Sequence, residues 1–374
     1  MKLLKLCKAS PLKVLHRILS FVEYFMPSRF RYTHLVVIAV FLPAVYYQYK
    51  YNALDYVLSL PFYFFSYPLD IDMPALVAKV MKNQPSGIEP ILRDDYPFVL
   101  NNDKMCKTSE GADDDIYILF MIKSALNDTE SRNTIRRTWA QEYNVPGVTM
   151  KHMFILGVRP GNMALQQKVA QEHEQWEDIA QGYFLDSYFN NTIKLMMGFR
   201  WVTTNCKGAR FIAFVDDDFF ISPFNLVSFL QNKPKKEAEK TIYGYAWEYA
   251  IPFRYKANKW YISRQEYPYR FFPPYPAAGA FFLSQDVAQR LYIAMHYTKY
   301  LRFDDVFVGI VAWKLKIPVK NCDLILFHPR DRDKVRQRHR NIIAAHGYKD
   351  VNALQKIWDD HMDYRHINRE NMGR

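Results

Sequence analysis

The chain has 374 residues, 49% of them hydrophobic and 16% aromatic, which excludes a disordered polypeptide and leaves room for one large domain or two small ones. Its formal net charge of +12 would suit nucleic acid if it lay on one face, but residues 1–50 carry eight basic side chains against Glu23 alone. More than half of the excess is therefore an N-terminal flank, and a DNA-binding surface is excluded.

That flank precedes the apolar run Leu35–Tyr47. Thirteen residues fall short of the ~20 needed to span a bilayer. Extension to Thr33 and Leu54, with Tyr46, Tyr47 and Tyr49 as an interfacial belt, reaches that length. The basic excess before the run predicts a cytosolic tail over residues 1–32, a type II signal-anchor over 33–54, and everything beyond it in the lumen. A cleaved signal peptide is the rival. The long stretch before the apolar run and the lack of a small-x-small cleavage site disfavour it.

Residues 55–112 are rich in Pro, Tyr and Asp without a sustained period, and read as a stem. The head, residues 113–374, opens with a buried strand over Asp115–Lys123. Asp128 or Thr129 then caps a helix that places Arg132 and Arg136 on one face. A second strand over Lys151–Gly157, a helix over Ala164–Trp176 and another over Thr192–Thr203 follow. Alternating strands and helices predict an α/β fold with a mainly parallel sheet covered on both faces. Cys106, Cys206 and Cys322 would lie in the lumen, where an odd count allows one disulfide and a spare thiol. No CxxC or Cys/His array points to structural zinc. The sequons Asn127-Asp-Thr129 and Asn190-Asn-Thr192 make Asn127 and Asn190 candidate glycosylation sites.

The next strand, Phe211–Val215, ends in three carboxylates, Asp216, Asp217 and Asp218. Like charges so close repel one another and call for a positive partner. Hard oxygens suit Mg2+ or Mn2+ bridging to substrate phosphates; a solvated turn is the plainer reading. No dinucleotide-binding turn, P-loop or G-x-S-x-G elbow occurs, so any phosphate must be held by a metal and isolated basic side chains. Further on, Asp304 and Asp305 open a helix running to Lys314. They are either caps or the source of a general base. Between the two acidic groups, Trp260–Ser284 offers aromatic and proline residues as a wall for sugar rings, and Ala277-Ala-Gly-Ala280 allows close backbone approach.

Five motifs carry a family likeness: Arg132-x-x-Ile-Arg-x-Thr-Trp139, Asp186-Ser-Tyr-Phe-Asn-Asn-Thr-Ile-Lys194, Val215-Asp-Asp-Asp218, Pro273-Pro-Tyr-x-x-x-Gly279 and Asp304-Asp-Val-Phe-x-Gly309. In order and spacing they resemble the beta-1,3-glycosyltransferase family of galactosyl- and N-acetylglucosaminyltransferases. The resemblance implies a GT-A fold, a UDP-sugar donor, Mn2+ or Mg2+, inversion at the anomeric carbon and a Golgi membrane location. It implies transfer to a 3-hydroxyl, with N-acetylglucosamine going to a mannosyl glycolipid or galactose to a glycolipid or glycoprotein. By the same likeness, Asp218 is the principal metal ligand, joined by Asp216 and His328, and Asp305 is the catalytic base. Arg132, Arg136, Lys194, Asp216 and Asp217 would contact the donor, and Trp260, Tyr275, Gly279 and Asp304 the acceptor. Pro276 stands where many relatives have Cys, so their disulfide cannot form, and Asp304 stands where many have Glu.

Overall fold

The computed structural model describes residues 39–46, 48, 53–142, 144–328 and 341–372. Among them no helix is long and apolar enough to cross a membrane, and half of the anchor expected over 33–54 lies outside the described residues. Two compact units are distinguished. The smaller joins the region up to Tyr63 with Pro252–Arg270. It contains helix α1 (Ala53–Leu58), and the Arg254 guanidinium donates to the carbonyls of Ile262, Tyr267 and Tyr269.

The larger unit holds the sheet. The expected stem is only partly stem-like: helix α2 (Met73–Met81), capped by Asp72, buries Met73, Leu76 and Val77, and strand β1 (Phe98–Leu100) joins the main sheet. Then come β2 (Ile118–Lys123), α3 (Thr129–Arg137), β3 (Met150–Val158), α4 (Met163–Trp176), β4 (Ile179–Leu185), α5 (Asn191–Asn205) and β5 (Phe211–Asp216). Every residue of β2 is buried, as expected of a strand covered on both faces. After β6 (Phe219–Ile221), helices α6 (Pro223–Gln231) and α7 (Lys235–Ala238) lead to β7 (Ile242–Trp247) and β8 (Tyr275–Ser284). Helices α8 (Gln285–Met295) and α9 (Asp304–Lys314), strands β9 (Val319–Asn321), β10 (Ile325–Leu326) and β11 (Ala344–His346), and helix α10 (Val351–Met372) complete it.

The eight strands run in the order β1-β4-β3-β2-β5-β8-β7-β9. Strands β4, β3, β2 and β5 are parallel, whereas β8 is antiparallel to both neighbours, so the sheet is mixed rather than mainly parallel. Strands β10, β11 and β6 form a separate small sheet. Helix α9 lies tightly on the start of β8. A Cβ on Gly309 would stand 2.4 Å from the Tyr275 Cβ and 2.8 Å from the Pro274 carbonyl oxygen, which accounts for glycine in that motif.

Cys106 and Cys206 form a disulfide that ties the approach to β2 to the end of α5, and Cys322 is a buried free thiol. The bridge closes a loop with a sequence separation of 100. Replacing both cysteines with serine should lower unfolding stability by about 2–5 kcal/mol, read as a shift of the denaturation midpoint. An unchanged midpoint would rule out a structural role for the bridge.

Candidate active site

Strand order reverses between β2 and β5, because β3 and β4 extend the sheet to one side of β2 and β5 to the other. In α/β sheets the crevice at the carboxyl ends of such strands is where ligands are held. Lys123 ends β2 and Asp216 ends β5, and the two are register partners. The buried Lys123 Nζ lies 2.9 Å from Asp216 Oδ1 and 2.6 Å from Asp304 Oδ2 on the first turn of α9. The two acidic groups therefore meet across one ammonium.

The first turn of α9 does not use Asp304 or Asp305 as its cap; that position is Phe303, which has no capping side chain. Asp304 pairs with Lys123, and Asp305 Oδ1 accepts the Val306 N–H at 2.8 Å. Burial, reinforced by the neighbouring Asp304 charge, pushes the Asp305 carboxyl up to about 7 although part of its side chain reaches the surface. Burial also lifts Asp216 to about 6; Lys123 opposes the rise, and Asp218 and Asp304 add to it. Burial alone would lower Lys123, but the flanking Asp216 and Asp304 more than offset it and hold the ammonium protonated. The Tyr275 phenol is held above its usual range by burial and the Asp305 charge, so it stays protonated beside that carboxylate.

The rest of the triplet points elsewhere. Asp217 Oδ2 accepts the Ala125 N–H at 3.3 Å, fastening the β2–α3 loop. The Asp218 carbonyl accepts N–H bonds from Gly347 and Tyr348, which brings β11 alongside. As a result His346 Nε2 stands 3.1 Å from Asp218 Oδ2, while Asp218 Oδ1 is buried without a hydrogen-bond partner among the described residues. Contact with Asp218 raises the His346 pKa. His328 is not that histidine: it is exposed, and its Nε2 faces the Tyr245 hydroxyl at 3.2 Å. Among the described residues no group of three or more His, Cys, Asp or Glu forms a closed metal cage.

Several expected donor-site residues have other partners. Arg132 is fully buried; it binds Glu172 at 2.7 Å and also Ser124 and the carbonyls of Ala125 and Leu126. It shapes the loop that touches Asp217 rather than facing a ligand. Arg136 pairs with Glu172 and Asp178, and lines a 570 Å3 cavity with His152 and Trp176 at the amino ends of β3 and β4. That cavity lies at the opposite end of the strands from the carboxylates. Lys194 is closer to the cleft, donating to the Ser124 carbonyl and to Asp186. Gly279 admits the Phe219 ring, which a Cβ would meet at 2.2 Å. Trp260 belongs to the smaller unit, against Phe253. Asn127 is exposed, whereas the Asn190 amide donates to the Leu185 carbonyl at 2.8 Å and Thr192 of its sequon is fully buried.

Lys123 and His346 carry no signal in the motifs read above. Lys123 looks like the end of a strand, and its meaning comes from the register with Asp216. Replacing Lys123 with Met should leave Asp304 buried and unpaired, costing about 3–5 kcal/mol at neutral pH. Asp216, at about 6 while Lys123 lowers it, then titrates higher in the folded state, which takes up protons that the unfolded chain does not. The deficit should shrink as the pH falls toward about 6, which denaturation at several pH values would measure.

Residues 130–323, more than half of the chain, match the family model described as Galactosyltransferase. The chain is 37% identical to beta-1,3-galactosyltransferase brn of Drosophila melanogaster over 244 residues, covering 65% of this chain and 74% of that protein. It is 32% identical to UDP-GalNAc:beta-1,3-N-acetylgalactosaminyltransferase 1 of Homo sapiens over 265 residues, 70% and 77% of the two chains. With beta-1,3-galactosyltransferase 1 of Mus musculus the identity is 30% over 279 residues, 74% and 82% of the two. The matched span carries both acidic groups, Asp216–Asp218 and Asp304–Asp305: the chain belongs to the galactosyltransferase family of glycosyltransferases.

Proposed function

We propose that this chain is an inverting GT-A enzyme that moves a sugar from a UDP-sugar to the 3-hydroxyl of an acceptor glycan, forming a beta-1,3 linkage. The observation that supports this reading is the meeting of Asp216 and Asp304 on Lys123, which draws the end of β5, with Asp218, to the first turn of α9, with Asp305. Asp305 is the base: a carboxyl lifted to about 7 is basic enough to take a hydroxyl proton and still ionised in a useful fraction near neutrality. Lys123 and Asp304 hold the first turn of α9, and with it Asp305, in position. The protonated Tyr275 phenol beside Asp305 offers a donor to the acceptor sugar.

A divalent cation fits the other side. Asp218 Oδ1, which has no partner among the described residues, and the adjacent His346 imidazole give one hard oxygen and one nitrogen, suited to Mn2+ or Mg2+. Two protein ligands leave coordination positions for diphosphate oxygens and water, the usual arrangement at nucleotide sites. Bound there, the ion would supply counter-charge for the departing UDP. Asp216 and Asp217 shape the surroundings, and the loop held by Arg132 closes the crevice behind them.

The donor is a UDP-linked hexose or N-acetylhexosamine. Likeness at the motifs favours N-acetylglucosamine onto a mannosyl glycolipid, and the relatives' names add galactose and N-acetylgalactosamine. The basic flank and apolar run at the N-terminus support a single-pass anchor in the Golgi membrane, and a disulfide suits its oxidising lumen.

A panel of UDP-sugars with Mn2+, with and without acceptor, tests the reading; hydrolysis of the donor with no transfer would replace it with a phosphohydrolase. Asp305→Asn should keep UDP binding and lose about 10²–10⁴-fold in kcat. With the wild type, kcat/KM should fall as the pH drops below about 7, because protonated Asp305 cannot accept a proton. Asp218→Ala and His346→Ala should each abolish the metal-dependent part of UDP binding in calorimetry, whereas His328→Ala should not.

A further inference from the structure

Helix α1 carries its apolar stripe on the outside. Leu54, Val57 and Leu58 are spaced i, i+3, i+4 and so share one face, yet they are 59%, 65% and 53% exposed. The other side of the helix is held by the protein. Asp55 Oδ1 lies 3.5 Å from Arg264 Nε, and the Arg270 guanidinium stands 5.1 Å from the centre of the Tyr56 ring. Arg270 also donates to the carbonyls of Val57 and Ser59. Leu60 then bridges to Tyr269, its N–H donating to the Pro268 carbonyl at 2.8 Å. A surface helix in water is built the other way round, with its leucines against the core and its charges outward.

The partner segment of the same unit repeats the pattern. Phe253, Tyr255 and Trp260 are exposed, and the first and last of these rings lie 5.8 Å apart. Arg254, between them, turns inward to the carbonyls already described. Lys256 and Lys259 are exposed among the rings, and no acidic residue occurs from Pro252 to Gln265. Outward leucines, rings with a polar edge and interspersed lysines are the composition of a membrane interface. There the rings sit at headgroup level, and lysine stems lie along apolar surface with the ammonium groups among the phosphates.

The length of the intervening chain says what covers this face. Only residues 48–52 separate the apolar run ending at Tyr47 from the start of α1 at Ala53. Five residues reach at most about 18 Å when fully extended, so a run seated in a bilayer keeps α1 close to the headgroups.

We infer that the outward face of α1 and the Phe253–Trp260 segment rest on the headgroup layer of the bilayer that holds the anchor. The inference rests on the single-pass anchor proposed above. It turns the chain just beyond the anchor from a free spacer into a second, monotopic membrane contact.

The test uses the full chain with Cys7→Ser, reconstituted in phosphatidylcholine vesicles. Cys322 is buried and Cys106 is bridged to Cys206, so one added cysteine takes an environment-sensitive fluorophore. The label is placed through Val57→Cys, through Phe253→Cys or, as the reference, through Met163→Cys at an exposed position of α4 in the larger unit. With a lipid carrying a nitroxide near the top of its acyl chain, quenching at positions 57 and 253 should be about twofold or more stronger than at 163. Leu54→Glu together with Leu58→Glu should return the label at 57 to the reference level. The denaturation midpoint should not move, since neither leucine is buried. Quenching at 57 and 253 no stronger than at 163, in a chain that stays with the vesicles through an alkaline carbonate wash, would overturn the contact and leave the anchor standing. A chain that washes off would overturn the anchor reading, and the contact with it.

Discussion

One buried ammonium holds the active end of this molecule together. Lys123 joins the end of β2 to the end of β5 and to the first turn of α9, three elements whose carboxylates would otherwise repel one another. Charges taken out of water are stable only when they are paired at good geometry, and removing one leaves its partner stranded. The pairing therefore places Asp305 rather than adding much net stability. It also explains why the acidic triplet is tolerated at the end of an otherwise apolar strand.

Around this centre, a second set of buried charges works as scaffold. Arg132 and Arg136 share Glu172, and Arg136 continues to Asp178 and His152. This network lies between α3, α4 and β3, and its output is the shape of the β2–α3 loop that touches Asp217. Burial would raise Asp178, but its bonds to His152 and Arg136 win and hold it at about 2, so its carboxylate stays ionised across the physiological range.

Much of this was legible in the linear chain. The strands and helices of the parallel half followed from apolar runs and caps: the predicted Ala164–Trp176 helix begins one residue earlier, after an Asn162 cap. The acidic strand end was visible because Asp216–Asp218 break a buried run so sharply. Two kinds of residue were hidden. Lys123 and His346 acquire meaning only through strand order, one from a register pairing and the other from a three-residue strand beside Asp218. Arg132 and Arg136 show the opposite problem. Arginines spaced four apart look alike whether they await a phosphate or a carboxylate far along the chain, and only packing reveals Glu172 and Asp178. The antiparallel β8 was missed for a related reason: long buried strands read the same in either direction.

The bonds from Gly347 and Tyr348 to the Asp218 carbonyl have an implication for biosynthesis. Because this cluster draws on positions as distant as Lys123 and His346, a polypeptide emerging N-terminus first makes β2–β5 well before β11 can pair beside Asp218. Until β11 docks, the aspartates at the end of β5 have no imidazole beside them. Assembly of the carboxylate cluster and its neighbours is thus completed late in the chain.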